Sequence, residues 1–212
     1  MAIYRRALSV AEVEGHFAAR HCAPCTANNG RCRVLLPMAD TFVTPLLPDA
    51  NRGNTSTLAV EVIPNTAKGS TTPFLSRTLL RFSLDPLLGV APRSITRAQL
   101  FLYSTRAVTP EAVVLYRNQS DFAEMEATWQ TQPSAADVPA PVVWPVPPDE
   151  GWMNLEVSAF VNDCWRNRAR NCSWQLRWVN EVDNTVEKRV LWLSREGGTV
   201  TDIPRLQVAY EE

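Results

Sequence analysis

The chain has 212 residues, 45% of them hydrophobic and 20% charged, with a formal net charge of −1. That balance supports one or two folded domains with a real core and excludes a disordered tail. It gives no electrostatic ground for nucleic-acid binding, which calls for basic patches, and the lack of any run of about 18 apolar residues excludes a helical membrane span. Charges spread through residues 1–20 do not match a signal peptide. Sixteen prolines against eight glycines, with seven tryptophans, predict many short strands joined by stiff connections.

The chain opens with a short strand candidate, Ala2–Tyr4, and then a helix near residues 9–19. Ser9 and Glu12 have capping-box spacing, and Val10, Val13, Phe17 and Ala18 recur at helical spacing. Residues 21–37 form a cysteine-bearing linker with Cys22, Cys25 and Cys32. A zinc site would need further ligands at suitable spacing, and no second CxxC exists. A redox CxxC would open a helix after a strand, whereas here a helix precedes it. Structural disulfides in an oxidising compartment fit better, with one pair among Cys22, Cys25 and Cys32.

From Met38 onward the pattern changes to strands. Thr57–Val62, Thr78–Ser83, Ala98–Tyr103, Ala112–Tyr116, Trp152–Val157, Trp174–Val179, Val190–Ser194 and Leu206–Tyr210 are β-rich, and PDANRGN, NTAKGS and EGG mark turns. Trp174, Leu176 and Trp178 share one face of their strand. Strands without strand–helix alternation predict an all-β, jelly-roll-like sandwich over residues 38–212. One short helix interrupts it near 158–166, with Ser158 as cap and Phe160, Val161, Cys164 and Trp165 facing inward. Cys164 and Cys172 close a short polar loop and are expected to pair, contributing roughly 2–3 kcal/mol.

The order of these motifs resembles the DNRLRE-domain family, which overlaps a family of carbohydrate-binding modules found on secreted polysaccharide lyases. ADTFV with PDANRGNTSTLAVEV resembles its opening strand, Asn-x-Gly turn and second strand. TLLRFSLDPL, ITRAQLFLY, LEVSAFVNDCW, LWLSREGG and PRLQVAY follow in the family's order. EATWQTQP (Glu126–Pro133) is the most specific piece, matching Thr-Trp-Asn-x-x-Pro with Gln130 in place of Asn. Separately, AIYRRALSVAEVEGHFAAR resembles the last strand and trailing helix of a laminin-G or concanavalin-like lectin domain. Residues 1–20 are therefore expected to be the remnant of a preceding domain, and the chain a segment of a longer multidomain protein.

Candidate chemistry is sparse. His16 and His21, the two histidines, lie outside the main domain, which removes Ser–His and Cys–His pairs from the sandwich. Carboxylates occur in groups (Asp121 with Glu124 and Glu126, Asp149 with Glu150, Glu181 with Asp183), but acidic residues in polar turns are most often solvated. No enzyme is expected. Structural calcium is the one cofactor considered, with Asp40, Asp49 and Asn51 as candidate oxygens and Glu181, Asp183 and Asn184 as a second group. For sugar stacking, Trp129, Trp165, Trp174, Trp178 and Trp192 read as core, which leaves Trp144 and Trp152 flanking a proline-rich loop. Asn54, Asn118 and Asn171 head glycosylation acceptor tripeptides.

These features predict an extracellular or cell-surface module without catalysis. Two roles follow. The first is a structural or adhesive building block of an extracellular assembly, partnered by neighbouring domains or other copies. The second is a carbohydrate-binding module attached to a polysaccharide-degrading enzyme.

Overall fold

A computed structural model describes residues 31–67, 71–90, 92–108, 111–199 and 201–211. The strand expected at Ala2–Tyr4, the helix expected near 9–19, both histidines, Cys22 and Cys25 lie outside the described residues. The rest is an all-β sandwich. Its strands are β1 (Arg31–Leu35), β2 (Pro37–Val43), β3 (Thr57–Ile63), β4 (Phe74–Ser83), β5 (Ser94–Val108), β6 (Ala112–Asn118), β7 (Ala135–Ala136), β8 (Val142–Pro145), β9 (Gly151–Glu156), β10 (Asn171–Trp178), β11 (Lys188–Leu193) and β12 (Arg205–Glu211). Two helices complete it, α1 (Asp85–Leu88) and α2 (Ser158–Arg166).

One sheet runs β1-β12-β5-β11-β3, with β9 also paired to β5. The other carries β2, β4, β10 and β6, with β7 and β8 on β6. Strand β4 serves both: Phe74–Ser76 pair with β3, and the residues from Arg77 to Ser83 pair with β2 and β10. All pairings are antiparallel, which suits short strands joined by tight turns. The strands begin at Arg31, ahead of the expected module start at Met38, because β1 zips along β12 from Arg31↔Tyr210 to Leu35↔Leu206.

Between the sheets lies the main core. Trp174, Trp178 and Trp192 are at most 2% exposed, in contact with Phe82, Phe160, Leu58, Leu80 and their neighbours. Two of these rings place their polar edge against an acceptor: Trp178 Nε1 donates to the Val60 carbonyl at 3.0 Å, and Trp192 Nε1 to Met153 Sδ at 3.3 Å. Alternation along β10 turns Ser173, Gln175 and Arg177 to the other side of the sheet. Ser173 and Gln175 are buried there as well. The cause is a covering loop, residues 119–134, whose Phe122, Ala127 and Trp129 pack against Ala39, Val43 and Leu79 in a second, smaller core. The polar groups under this loop bond to one another. Asn118 Nδ2 donates to Ser173 Oγ at 2.8 Å, and Gln175 Nε2 donates to Asn118 Oδ1 at 2.8 Å and to the Pro133 carbonyl at 3.2 Å. The EATWQTQP segment therefore acts as a lid: Trp129 is half-buried with the Arg77 guanidinium 4.7 Å above its ring, and Glu181 grips Arg77 from the other side at 2.6 Å.

Helix α2 buries Phe160, Val161 and Cys164, as its periodicity predicts. Ser158 does not cap it. The Ser158 hydroxyl accepts instead from the Ala98 N–H at 2.7 Å, which fastens the helix start to β5. The Cys164–Cys172 disulfide ties the helix end to the start of β10.

Candidate functional site

The loop that this disulfide closes carries the most distinctive chemistry on the surface. Helix α2 ends in a Schellman motif: the Arg168 N–H donates to the Trp165 carbonyl at 3.0 Å and the Ala169 N–H to the Cys164 carbonyl at 3.0 Å. This requires a left-handed residue at Arg168, whose φ is 54°. Glycine is the usual occupant of such a position, since a Cβ is strained there. With the helix stopped this way, Arg166, Arg168 and Arg170 are all exposed. Arg170 is braced from below, its carbonyl accepting from the Leu84 N–H at 2.7 Å and its Nε pairing with Asp85 at 3.0 Å.

These residues form one wall of a groove of about 680 Å³, lined by Leu88 of α1, Arg93, Trp165, Arg166, Arg168, Ala169 and Arg170. Its lining holds four arginines and no acidic residue. Trp165 was expected to face inward; it is half-buried and presents part of its ring to the groove. The reason is position. Trp165 sits in the last turn of α2, packed against the main core on one side and bordering the groove on the other. A second hollow of about 310 Å³ continues from the first, sharing Ala169 and Arg170 and adding Arg117, Gln119, Asp121, Asn171 and Ser173. Arg117 is held by an ion pair to Asp163 of α2, and Asn171 Nδ2 donates to Asp121 at 2.7 Å. Guanidinium groups offer forked donors that match carboxylate and sulfate oxygens. A tryptophan beside them offers an apolar face to a sugar ring.

The chain belongs to carbohydrate-binding module family 96. The family model matches residues 33–210, almost the whole described sandwich. A comparison with curated proteins finds none that matches the chain.

Within this family 96 module the residues singled out from sequence are placed as follows. Trp152 lies on β9, edge-on to Tyr103 at 5.3 Å and to Phe101 at 6.5 Å between ring centroids. One of its faces is taken by the Arg205 guanidinium, 3.9 Å from the ring centroid. Trp144, on β8, is half-buried against the main core. Neither borders the arginine groove. Asn54 is exposed, Asn171 is half-buried, and Asn118 is 3% exposed with its amide nitrogen turned to Ser173.

Of the calcium candidates, Asp40 on β2 is 1% exposed and meets Glu124 of the covering loop and Glu196 of the turn after β11. Burial, helped by repulsion from Glu196 and Glu124, pushes the Asp40 carboxyl up to about 7 against the lowering effect of the Arg195 N–H. Asp49 is exposed and stands outside this group. Asn51 acts as a brace: its Nδ2 donates to the Glu124 and Ala127 carbonyls at 2.6 and 2.9 Å, while its Oδ1 accepts from the Gly53 N–H at 3.0 Å. Glu181 holds Arg77, Asp183 holds Thr185 and Lys188, and Asn184 Oδ1 accepts from the Asn65 N–H at 2.6 Å. No helix among the described residues is long and apolar enough to cross a membrane.

Two features escaped sequence reasoning. The first is the groove itself. Its signal was the run RNRARN at residues 166–171, where arginine alternates with small polar residues, but a net charge of −1 for the whole chain hides a local basic strip. The second is the meeting of Asp40 with Glu124 and Glu196, which come from stretches far apart in sequence and are brought together only by the covering loop.

Proposed function

We propose that this domain is a non-catalytic extracellular module that binds an acidic polysaccharide along the groove lined by Arg93, Arg166, Arg168, Arg170 and Trp165. The observation that carries this reading is the four-arginine, acid-free lining beside a partly exposed tryptophan. Family membership supports glycan as the ligand class. The arginines narrow it to glycans bearing carboxylate or sulfate groups. The continuation into the second hollow favours an extended chain over a single sugar. The Cys164–Cys172 disulfide supports an oxidising, extracellular setting. From sequence alone a structural or adhesive role ranked first; the family and the groove reverse that order.

The test is titration of the protein with polygalacturonate, a sulfated glycan and a neutral xylan. Binding of the acidic glycans is expected, weakening as salt is raised. The combined Arg166→Ala, Arg168→Ala, Arg170→Ala variant should lose at least tenfold in affinity, and Trp165→Ala should lose several-fold. Equal binding of xylan, or loss of binding in Trp144→Ala or Trp152→Ala with the groove variants unaffected, would place the site elsewhere.

A further inference from the structure

Away from the groove, three carboxylates are drawn together from well-separated parts of the chain. Asp40 lies on β2, Glu124 in the covering loop and Glu196 in the turn after β11, and one oxygen of each lies within 4.8 Å of the others. Their neighbours fix two of the three. The Asp40 N–H donates to Glu124 Oε1 at 2.8 Å. Arg195 bridges Glu124 and Glu196, with Nη2 to Glu124 Oε2 at 2.7 Å and Nε to Glu196 Oε1 at 3.0 Å. Its Nη1 is spent on the Met38 carbonyl at 2.9 Å.

Asp40 is left half-satisfied. Its Oδ2 accepts from the Arg195 N–H at 2.8 Å, but its Oδ1 is buried without a hydrogen-bond partner. Only 1% of the residue is exposed, so bulk solvent does not reach it. A buried carboxylate oxygen in that position carries its full desolvation cost with nothing in return. Charge points the same way. With Asp40 ionised, as a bound cation would hold it, three carboxylates against one guanidinium leave a formal surplus of two negative charges.

We propose that Asp40, Glu124 and Glu196 bind one calcium ion, with the buried Asp40 Oδ1 as its innermost ligand. The donors are all carboxylate oxygens, which selects a hard cation over zinc or copper. Their spread fits within a calcium oxygen shell, whose diameter is roughly 4.6–5.2 Å. One divalent ion neutralises the surplus charge. It also joins three parts of the fold: β2, the covering loop and the turn after β11. This site is separate from the glycan groove, and its existence does not depend on what the groove binds.

The experiment uses the whole chain, stripped with a chelator and titrated with calcium chloride by calorimetry, with thermal unfolding in parallel. One-to-one binding is expected. With calcium a hundredfold above its Kd, the unfolding midpoint should rise by roughly 5–10 °C. Asp40→Asn should abolish the effect. Because Asp40 is buried and its variant can misfold, Glu196→Gln serves as the second probe: Glu196 is exposed, and its loss should weaken calcium at least tenfold without lowering the chelated protein's midpoint. The proposal fails if the wild-type protein shows neither heat nor shift with millimolar calcium. It also fails if Glu196→Gln keeps the wild-type affinity.

Discussion

Under the proposed function, Arg168 serves binding at the expense of stability. Its φ of 54° is a conformation that costs a non-glycine residue about 1–2 kcal/mol. The Schellman hydrogen bonds hold it there, and the result is a guanidinium pushed into the groove. Arg168→Gly is therefore expected to raise unfolding stability by roughly 0.5–1 kcal/mol in urea titrations, because glycine accepts the left-handed turn but adds unfolded-state entropy. The same variant should bind acidic glycans about three- to tenfold more weakly, the usual size of one lost charge-assisted contact near solvent. A stability loss with unchanged binding would show that Arg168 is neither strained nor in contact. At this scale the sequence was partly legible. Trp174 and Trp178 were readable as core because strand alternation fixes their side, and Trp192 through the family motif it resembles. Trp165 packs against the main core, as its periodicity implies, but it also borders the groove, because helical periodicity assigns a face, not a depth. Asn118, at the head of a polar tripeptide, gave no sign that Ser173 and Gln175 would bury its amide.

Strand β11 carries a charge in an unusual place. Lys188 is 2% exposed, and its Nζ pairs with Asp183 at 2.9 Å and with Glu111 at 3.0 Å. Burial by itself would lower the Lys188 pKa, but the bonds from Asp183 and Glu111 raise it overall, so it stays charged. Asp183 in turn is held down to about 2, first by the Thr185 hydroxyl and then by Lys188. A carboxylate depressed in the folded state adds stability above its ordinary range and loses it as pH falls through the folded value. The unfolding midpoint of the wild type should thus exceed that of Asp183→Asn by a constant margin above about pH 4, and the two curves should converge as pH approaches 2. A margin that persists at pH 2 would assign the effect to lost packing. At the element scale, alternating β-rich runs such as Thr57–Val62 and Leu206–Tyr210 announced β3 and β12 through their period. Strands β1 and β2 were less visible. Only the resemblance of ADTFV to an opening strand marks β2, and β1 lies in the cysteine-bearing linker, where Cys32 is disulfide-bonded. The short β7 and β8 pair only with the edge of β6, so no sustained alternation marks them.

At the scale of the whole molecule, the covering loop is what makes two distant features one device. Residues 119–134 begin at the second hollow, where Gln119 and Asp121 line the wall, and pass directly to Glu124 beside Asp40 and Glu196. The loop has no strand pairing of its own along this stretch; it is held by Phe122, Ala127 and Trp129 against β2 and β4, and by the Asn51 amide on the Glu124 and Ala127 carbonyls. Gly53 sits under that same point. A Cβ there would stand 2.8 Å from both Glu124 Cγ and the Glu124 carbonyl oxygen and 3.1 Å from Met125 Sδ, so backbone must give way. Gly53→Ala should accordingly cost about 1–3 kcal/mol, the range for overpacking a closed site. The displacement acts on Glu124, so the calcium-dependent rise in the unfolding midpoint should shrink. Because Asp121 moves on the same short span, affinity for acidic glycan should weaken by about two- to fivefold, a coupling below the usual allosteric range. Calorimetric titration of Gly53→Ala with calcium and with polygalacturonate separates the possibilities. Loss of the calcium response with wild-type glycan affinity would mean that the loop anchors the cation without steadying the groove. Loss of both means that one loop holds the module's cation cluster and the near wall of its binding strip in register.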